Sequence, residues 1–482
     1  MTQPNLHQLH TTLGGFLRRA NDQETPAQQQ PLGRVVTDSR EVQPGDVFWA
    51  LPGTQHNGAE FAEDAFARGA SGVVTQQSVS APPWGCWTLQ VDNSLTALWQ
   101  WAAWVRQQFR GTLIAVTGSV GKTTTRQMIY AALSQTLRGS ASPKNYNNQV
   151  GVPLSLLQLE PDHDFAVIEL GASALGEIAA LARLVAPQIG VLTSIGQAHL
   201  PGFGSQQAIA SAKAELLDQL PADGLAVMNG DDLWLHRVAD RSAAPVMWVG
   251  RRSDCSLTAD RVRCQDGWLS CTVAAEEYRV PVWGRHYLTS VLCAIAVARS
   301  LGVSPAHIAA GLSQFHSPPM RCQVEWRHDV AWIYDAYNSS PSAARVALEL
   351  LRDFNHEGRK IVALGNMCEL GDSTAEFHRT LGEQVATLCG ADRLVACGSQ
   401  AEQIAQAAYQ AGMPVEHIAV CSEVSDMIAV LDHWLLPGDA VLLKGSRAMQ
   451  LERVFDTVAY AANPRMSIPM TPAVAWPMYK TA

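Results

Sequence analysis

The sequence predicts an α/β protein built as three blocks around mostly parallel sheets, and three observations carry this. Strand-like apolar runs alternate with helical patterns through the middle of the chain, the alternation restarts near Ser317, and a glycine-rich turn containing Lys and Thr joins one run to a helix. Such alternation marks a parallel sheet covered on both faces, because each crossover returns the chain through a helix. At 482 residues, two or three domains are the expected number.

Residues 1–92 form the first block, expected to be a small α/β domain. It holds short apolar runs such as "DVFWALPG", a helical stretch "AEFAEDAFARGA", and polar loops at "NDQETPAQQQP" and "QSVSAPPWG". A helix over Leu95–Phe109 leads out of it. Its Trp99, Trp101 and Trp104 read as buried indoles of an amphipathic inter-domain helix rather than as a stacking platform.

The second block, 93–316, carries the strands "TLIAVT", "FAVIEL", "IGVLTSI" and "GLAVMNG". Between about Met247 and Val282, shorter segments such as "GWLSCTV" and "EYRVPV" predict appended antiparallel strands, followed by the helix "SVLCAIAVARSLG". The third block, 317–463, repeats the pattern with "AWIYDAY", "KIVALGN", "RLVACG", "HIAVC" and "DAVLLKG", predicting a smaller, Rossmann-like open sheet. The Pro-rich tail 464–482 is expected to be an unstructured extension.

Bulk composition narrows the function. The chain is 47% hydrophobic and 16% charged, as a globular protein should be. With 35 basic and 44 acidic residues its formal charge is −9 and it has no long basic run, which argues against nucleic acid or an anionic membrane as partner. No apolar run is long enough to span a bilayer, and the N-terminus lacks a secretory layout. Ten cysteines without a C-x-x-C pair fit reduced, mostly buried thiols in the cytoplasm.

The chemistry begins at "LIAVTGSVGKTTTRQ". The usual phosphate loop, G-x-x-x-x-G-K-[ST], needs a glycine at position 116, which is Val116; the nearest is Gly118. Gly118 and Gly121 still allow the turn through Ser119 and Val120, so that successive amides face a phosphate. Lys122 supplies a cation, the Thr123 hydroxyl suits Mg²⁺, and the helix opening at Thr123 and Thr124 offers its positive end. Downstream, Glu169 closes the strand "FAVIE", and His199 follows another strand in "IGQAHLPGFGS". On neighbouring strand ends these are candidate metal ligands. Lys213 of "SAKAE" sits on a helix.

"TGSVGKTTT", "NYNNQVGVP", "VIELGAS", "IGQAHLPGFGS" and "SAKAE", in this order, resemble the Mur ligase family of peptidoglycan synthesis. In that family the shortened loop is the normal form. The resemblance covers about residues 30 to 460, and implies a three-domain architecture of UDP-binding, ATP-binding and closing domains. "TDSR" is similar to the family's UDP-binding segment, implying that Ser39 and Arg40 hold the UDP end. "YDAYNSSPSA", "GNMCELG" and "LLKGSR" resemble the member that adds D-alanyl-D-alanine; the D-N-P-[RKA] motif of the member adding diaminopimelate or lysine does not occur.

The resemblance implies ATP and Mg²⁺, with UDP-N-acetylmuramoyl-tripeptide and D-alanyl-D-alanine as substrates of a monomeric cytoplasmic enzyme that works through an acyl phosphate. It implies ATP contacts from the loop, Asn148, Arg321, Asp335 and Asn338, and substrate contacts from Lys444 and Arg447. It implies metal contacts from Thr123, Glu169, His199 and Lys213, the last carbamylated. Family members show G-R-H-N-x-x-N where this chain has "GRHYLTS", so Tyr287 and Ser290 replace amides that recognise adenine. Another Mur-type ligase with a different amine, or a nucleotide-binding scaffold without turnover, stays open here, as does the third residue of the acceptor peptide.

Overall fold

The computed structural model describes residues 4–20, 31–53, 56–197 and 200–459. Three expectations lie outside them: the polar loop at 21–30, the placement of His199 and the state of the tail 464–482.

The first sheet holds β1 (Phe16–Arg19), β2 (Val35–Val36), β3 (Val47–Trp49), β4 (Gly72–Thr75) and β5 (Trp87–Gln90), in the order β1-β5-β4-β3-β2. Only β1 runs antiparallel. The sheet packs on the helix Ser94–Gln108 through Trp49, Trp87, Leu98 and Trp101. Trp101 is buried and stacks on Trp104 at 4.8 Å, and the Trp49 indole donates to Ser94 O at 2.7 Å. These indoles are packing groups, and the buried N–H of Trp49 is satisfied.

The central sheet is parallel throughout: β6 (Thr112–Thr117), β7 (Gly139–Ala141), β8 (Phe165–Glu169), β9 (Ile189–Leu192), β10 (Leu225–Asn229), β11 (Val246–Gly250) and β12 (Leu257–Thr258), ordered β12-β11-β10-β9-β6-β8-β7. β8 and β9 are buried at every residue and β6 at all but its first. That is why they read as continuous apolar runs rather than alternating ones. The helix Lys122–Leu133 packs against Leu288–Ser300, which is buried without a break from Ser290 to Ala298.

The antiparallel appendage is real but starts later than the sequence suggested. Val246–Gly250 and Leu257–Thr258 extend the parallel sheet, and the meander consists of β13 (Asp260–Gln265), β14 (Trp268–Val273) and β15 (Glu276–Val280). The first three residues of β11 are only half-buried, as edge-like strands are, although its apolar run is as long as that of β10.

The last sheet has β16 (Gln323–Arg327), β17 (Val330–Asp335), β18 (Lys360–Leu364), β19 (Arg393–Cys397), β20 (Ile418–Cys421) and β21 (Ala440–Lys444), ordered β16-β17-β21-β18-β19-β20. β16 is an antiparallel edge strand that the sequence did not announce. Its residues are mostly half-buried, "QVEWR", and carry no apolar run. One buried cluster runs from Ile114 and Val116 through Val291 and Ile295 into Ala347, Leu351 and Leu364, so the last sheet docks on the central block through a shared core. All ten cysteines are free thiols.

Candidate active site

The strand ends of the central and last sheets open on one cleft of about 910 Å³. In open parallel sheets the loops gather at the carboxyl ends of the strands, so a site is expected there.

At the end of β6 the chain turns through Gly118 and Gly121, at φ 148° and 86°. A Cβ on Gly118 would run into Thr193 Oγ1, so only glycine lets the turn lie this close to the end of β9. Ser119 N donates to Ser194 O at 2.8 Å, Val120 N to Ser194 Oγ at 3.2 Å, and Thr193 Oγ1 donates to Val120 O at 2.6 Å. The turn is thus braced before any ligand arrives. It delivers Lys122 and Thr123 at the start of a helix of twelve residues, whose free amides carry partial positive charge. Lys122 Nζ donates to Gly118 O at 2.7 Å. Burial pushes the Lys122 pKa down; the Glu169 charge opposes this and the Arg321 charge adds to it.

Glu169 ends β8 and is 1% exposed. Asn147 Nδ2 donates to its Oε1 at 2.8 Å, and Arg126 Nη1 stands 3.5 Å from Oε2. Among the described residues, no hydrogen bond reaches Oε2. A buried carboxylate oxygen is rarely left so. With the Thr123 hydroxyl bordering the same cleft, it forms a hard-oxygen donor set of the kind magnesium takes. Arg126 was not singled out in the sequence, although it follows Lys122 by four residues and so shares its helix face. It also donates to Lys144 O at 3.0 Å, while Lys144 Nζ pairs with Glu41 at 3.2 Å. A polar chain therefore runs from Glu169 to the turn that carries Ser39 and Arg40.

Lys213, on the helix Gln206–Ala214, is 3% exposed and sits behind the cleft wall, donating to Ala172 O at 3.2 Å. Burial, then the Lys122 charge, lower its pKa to about 7, with Glu177 and Glu215 opposing. Such an amine is uncharged in a large fraction at neutral pH, as attack on CO₂ requires.

The last sheet contributes from across the cleft. Arg321 Nη2 donates to Thr123 Oγ1 at 3.2 Å, and its guanidinium lies 4.2 Å from the centre of the Tyr337 ring. Asp335 ends β17 and accepts from Lys444 Nζ at 2.6 Å and from Cys322 N at 3.2 Å; Lys444 also donates to Asn338 O at 3.1 Å. Asp335, Asn338 and Lys444 form one knot on the cleft that holds the phosphate loop. Arg447 is not part of it; it pairs with Glu452 at 2.8 Å. Asn148 borders the cleft, its Oδ1 accepting from Gly151 N at 2.9 Å. Ser39 and Arg40 stand apart on the first sheet, Ser39 buried and Arg40 exposed against Asp38.

Tyr287 and Ser290, which depart from the resembled pattern, both border the cleft. Ser290 Oγ accepts from Thr125 Oγ1 at 2.8 Å, and Tyr287 Oη donates to Arg321 O at 2.9 Å. Asn147, Asp232 and His286 also line the cleft and were missed in the sequence. Burial lowers the His286 pKa to about 4, with Asp335 raising it and Lys444 lowering it.

The chain matches three family profiles: the Mur ligase middle domain over 116–298, the Mur ligase glutamate ligase domain over 320–447, and the catalytic domain of the Mur ligase family over 32–83. It is 33% identical to the UDP-N-acetylmuramoyl-tripeptide--D-alanyl-D-alanine ligase of Bacillus subtilis (strain 168) over 429 residues, 89% of this chain and 93% of that protein. It superposes on crystal structures of MurF from Acinetobacter baumannii, with TM-score 0.82, 28% identity and coverage of 95% and 100% of the two chains. MurF ligase from Thermotoga maritima in complex with ADP matches with TM-score 0.75 and 28% identity over 89% and 97%. With its shortened phosphate loop, buried carboxylate and three-sheet architecture, the chain belongs to the Mur ligase family.

Proposed function

We propose that this protein is an ATP-dependent amide ligase that joins D-alanyl-D-alanine to UDP-N-acetylmuramoyl-tripeptide, releasing ADP and phosphate. The carrying observation is the meeting, in one cleft, of the phosphate loop, the unbonded oxygen of Glu169 and Arg321 from the opposite sheet. The names of the relatives point the same way.

The carboxylate of the tripeptide attacks the γ-phosphorus of ATP, and ADP departs. The dipeptide amine then attacks the acyl phosphate carbonyl, and phosphate leaves from the tetrahedral intermediate. The first step brings two anions together, so neutralising charge is the main task. The loop amides, Lys122 and Arg321 are placed for it. Bound magnesium adds positive charge at the phosphate oxygens; Thr123 and Glu169 would hold it, with His199 and carbamylated Lys213 as further ligands. Ser39 and Arg40 hold the UDP end, Asn148, Asp335 and Asn338 border the nucleotide, and Lys444 and Arg447 act on the side of the acceptor. The last sheet, docked on the central block through the shared core, covers the nucleotide and excludes water. The enzyme works as a cytoplasmic monomer. Among the described residues no helix is long and apolar enough to cross a membrane.

The test is ADP release by purified protein with UDP-N-acetylmuramoyl-tripeptide, comparing D-alanyl-D-alanine with single amino acids. The expected result is release that needs both substrates and prefers the dipeptide by about 10⁴-fold, since a site built to bond a missing group rejects analogues strongly. Equal release with a single amino acid, or none with any amine, contradicts the reading.

A further inference from the structure

Arg321 stands between two residues in the left-handed backbone region, Met320 at φ 59° and Cys322 at φ 47°. Neither is glycine, and side chains with a Cβ rarely adopt this backbone unless their surroundings hold it. Four bonds do the holding. Tyr337 N donates to Met320 O at 3.1 Å, Met320 N to Gln323 Oε1 at 3.4 Å, Cys322 N to Asp335 Oδ1 at 3.2 Å, and Tyr287 Oη to Arg321 O at 2.9 Å. Three of these come from the last sheet and its flanks. The fourth comes from Tyr287, on the central block, 4% exposed and packed against His286 at 4.2 Å.

We propose that Tyr287 is a positioning residue: through its hydroxyl it fixes the strained turn 320–322, so that the Arg321 guanidinium, backed by Tyr337, reaches the phosphate loop at Thr123. The same tyrosine thereby couples the central block to the closing sheet at the nucleotide. Its ring is buried and its hydroxyl is occupied, so it acts through Arg321 rather than as a platform for the base. Arg321 is anchored at both ends, by its own carbonyl on Tyr287 and by its side chain on Thr123. Strain stored at a turn that presents one cation is a device for holding that cation in a single pose.

This rests on the reading of the cleft as an ATP site, so the test measures ATP binding directly by titration calorimetry. It uses wild type, Tyr287→Phe, Tyr287→Leu, Arg321→Ala and the double variant of Tyr287→Phe with Arg321→Ala, with melting temperatures recorded for each. Tyr287→Phe removes one oxygen and keeps the ring. The expected result is a loss of ATP affinity of about tenfold in each single variant, and no further loss in the double variant over Arg321→Ala. Hydrogen exchange in folded Tyr287→Phe should speed up at the amide of Cys322 while the amides of β6 stay protected. Unchanged affinity in Tyr287→Phe, or losses that multiply in the double variant, overturns the proposal. Tight binding by Tyr287→Phe with loss in Tyr287→Leu also overturns it, in favour of stacking on the base. A wild type that binds no ATP overturns the ATP reading and this proposal together.

Discussion

The central sheet and the last sheet face the same cleft but furnish it in different ways. The central sheet offers main-chain amides on a glycine turn and a carboxylate fixed at a strand end, all held by bonds within its own block. Beside the Asp335–Lys444 knot, the last sheet offers a guanidinium on a strained turn, held partly by a tyrosine that belongs to the other block. One side is preformed and the other is assembled when the two blocks dock. Losses on the central side should therefore be large and independent of how the blocks sit, and losses on the other side smaller and coupled.

Lys122→Ala is the largest break on the preformed side. It removes the cation from the loop without touching the fold of β6, and kcat/KM for ATP should fall by about 10²–10³-fold, the usual cost of one lost charge-stabilising donor. ADP release under saturating acceptor measures it. Glu169→Gln comes next. It keeps the shape and the bond to Asn147 but removes the charge facing Arg126, and turnover should fall about a hundredfold, with a higher magnesium concentration needed for half-maximal rate. A magnesium titration of both proteins reads this, and an unchanged requirement would remove Glu169 from the metal site.

Arg40→Ala sharpens the contrast from a third place. Arg40 is exposed, pairs with Asp38 and does not line the cleft, so the KM for the UDP substrate should rise by a few fold while kcat and the KM for ATP stay put.

The smallest effect concerns His286, half-buried on the cleft wall beside Tyr287. Its folded pKa lies near 4, below the ordinary 6.5, so the unfolded chain binds more protons between these values. Stability then falls as pH drops from about 6.5 to about 4, and the lost part belongs to the neutral ring. Relative to His286→Gln, the wild type should lose a few degrees of melting temperature over that window. Parallel curves for the two proteins would refute the assignment.

The phosphate loop was legible because its glycines, lysine and threonine are contiguous and follow an apolar strand. Glu169 was legible for a similar reason: a charge at the end of a buried run needs a purpose. Arg126 was visible in principle, one helical turn beyond Lys122, but a lone arginine on a helix carries no signal until its burial is known. The bond between Tyr287 and Arg321 spans 34 residues and two blocks, so no local pattern encodes it. In the sequence Tyr287 was only a departure from a pattern. β16 escaped notice because an edge strand with mixed exposure lacks the uniform apolar run of β6 or β8. The start of the antiparallel meander was misplaced because β11, half exposed, resembles the strands that follow it.

The central claim is that the cleft between the two sheets is where the nucleotide phosphates are gathered. A crystal structure with a non-hydrolysable ATP analogue and magnesium tests it most directly. The account predicts the terminal phosphates within bonding distance of Lys122 and Arg321, and magnesium on Thr123 and Glu169. A triphosphate seated elsewhere, or magnesium bound without either residue, would contradict it.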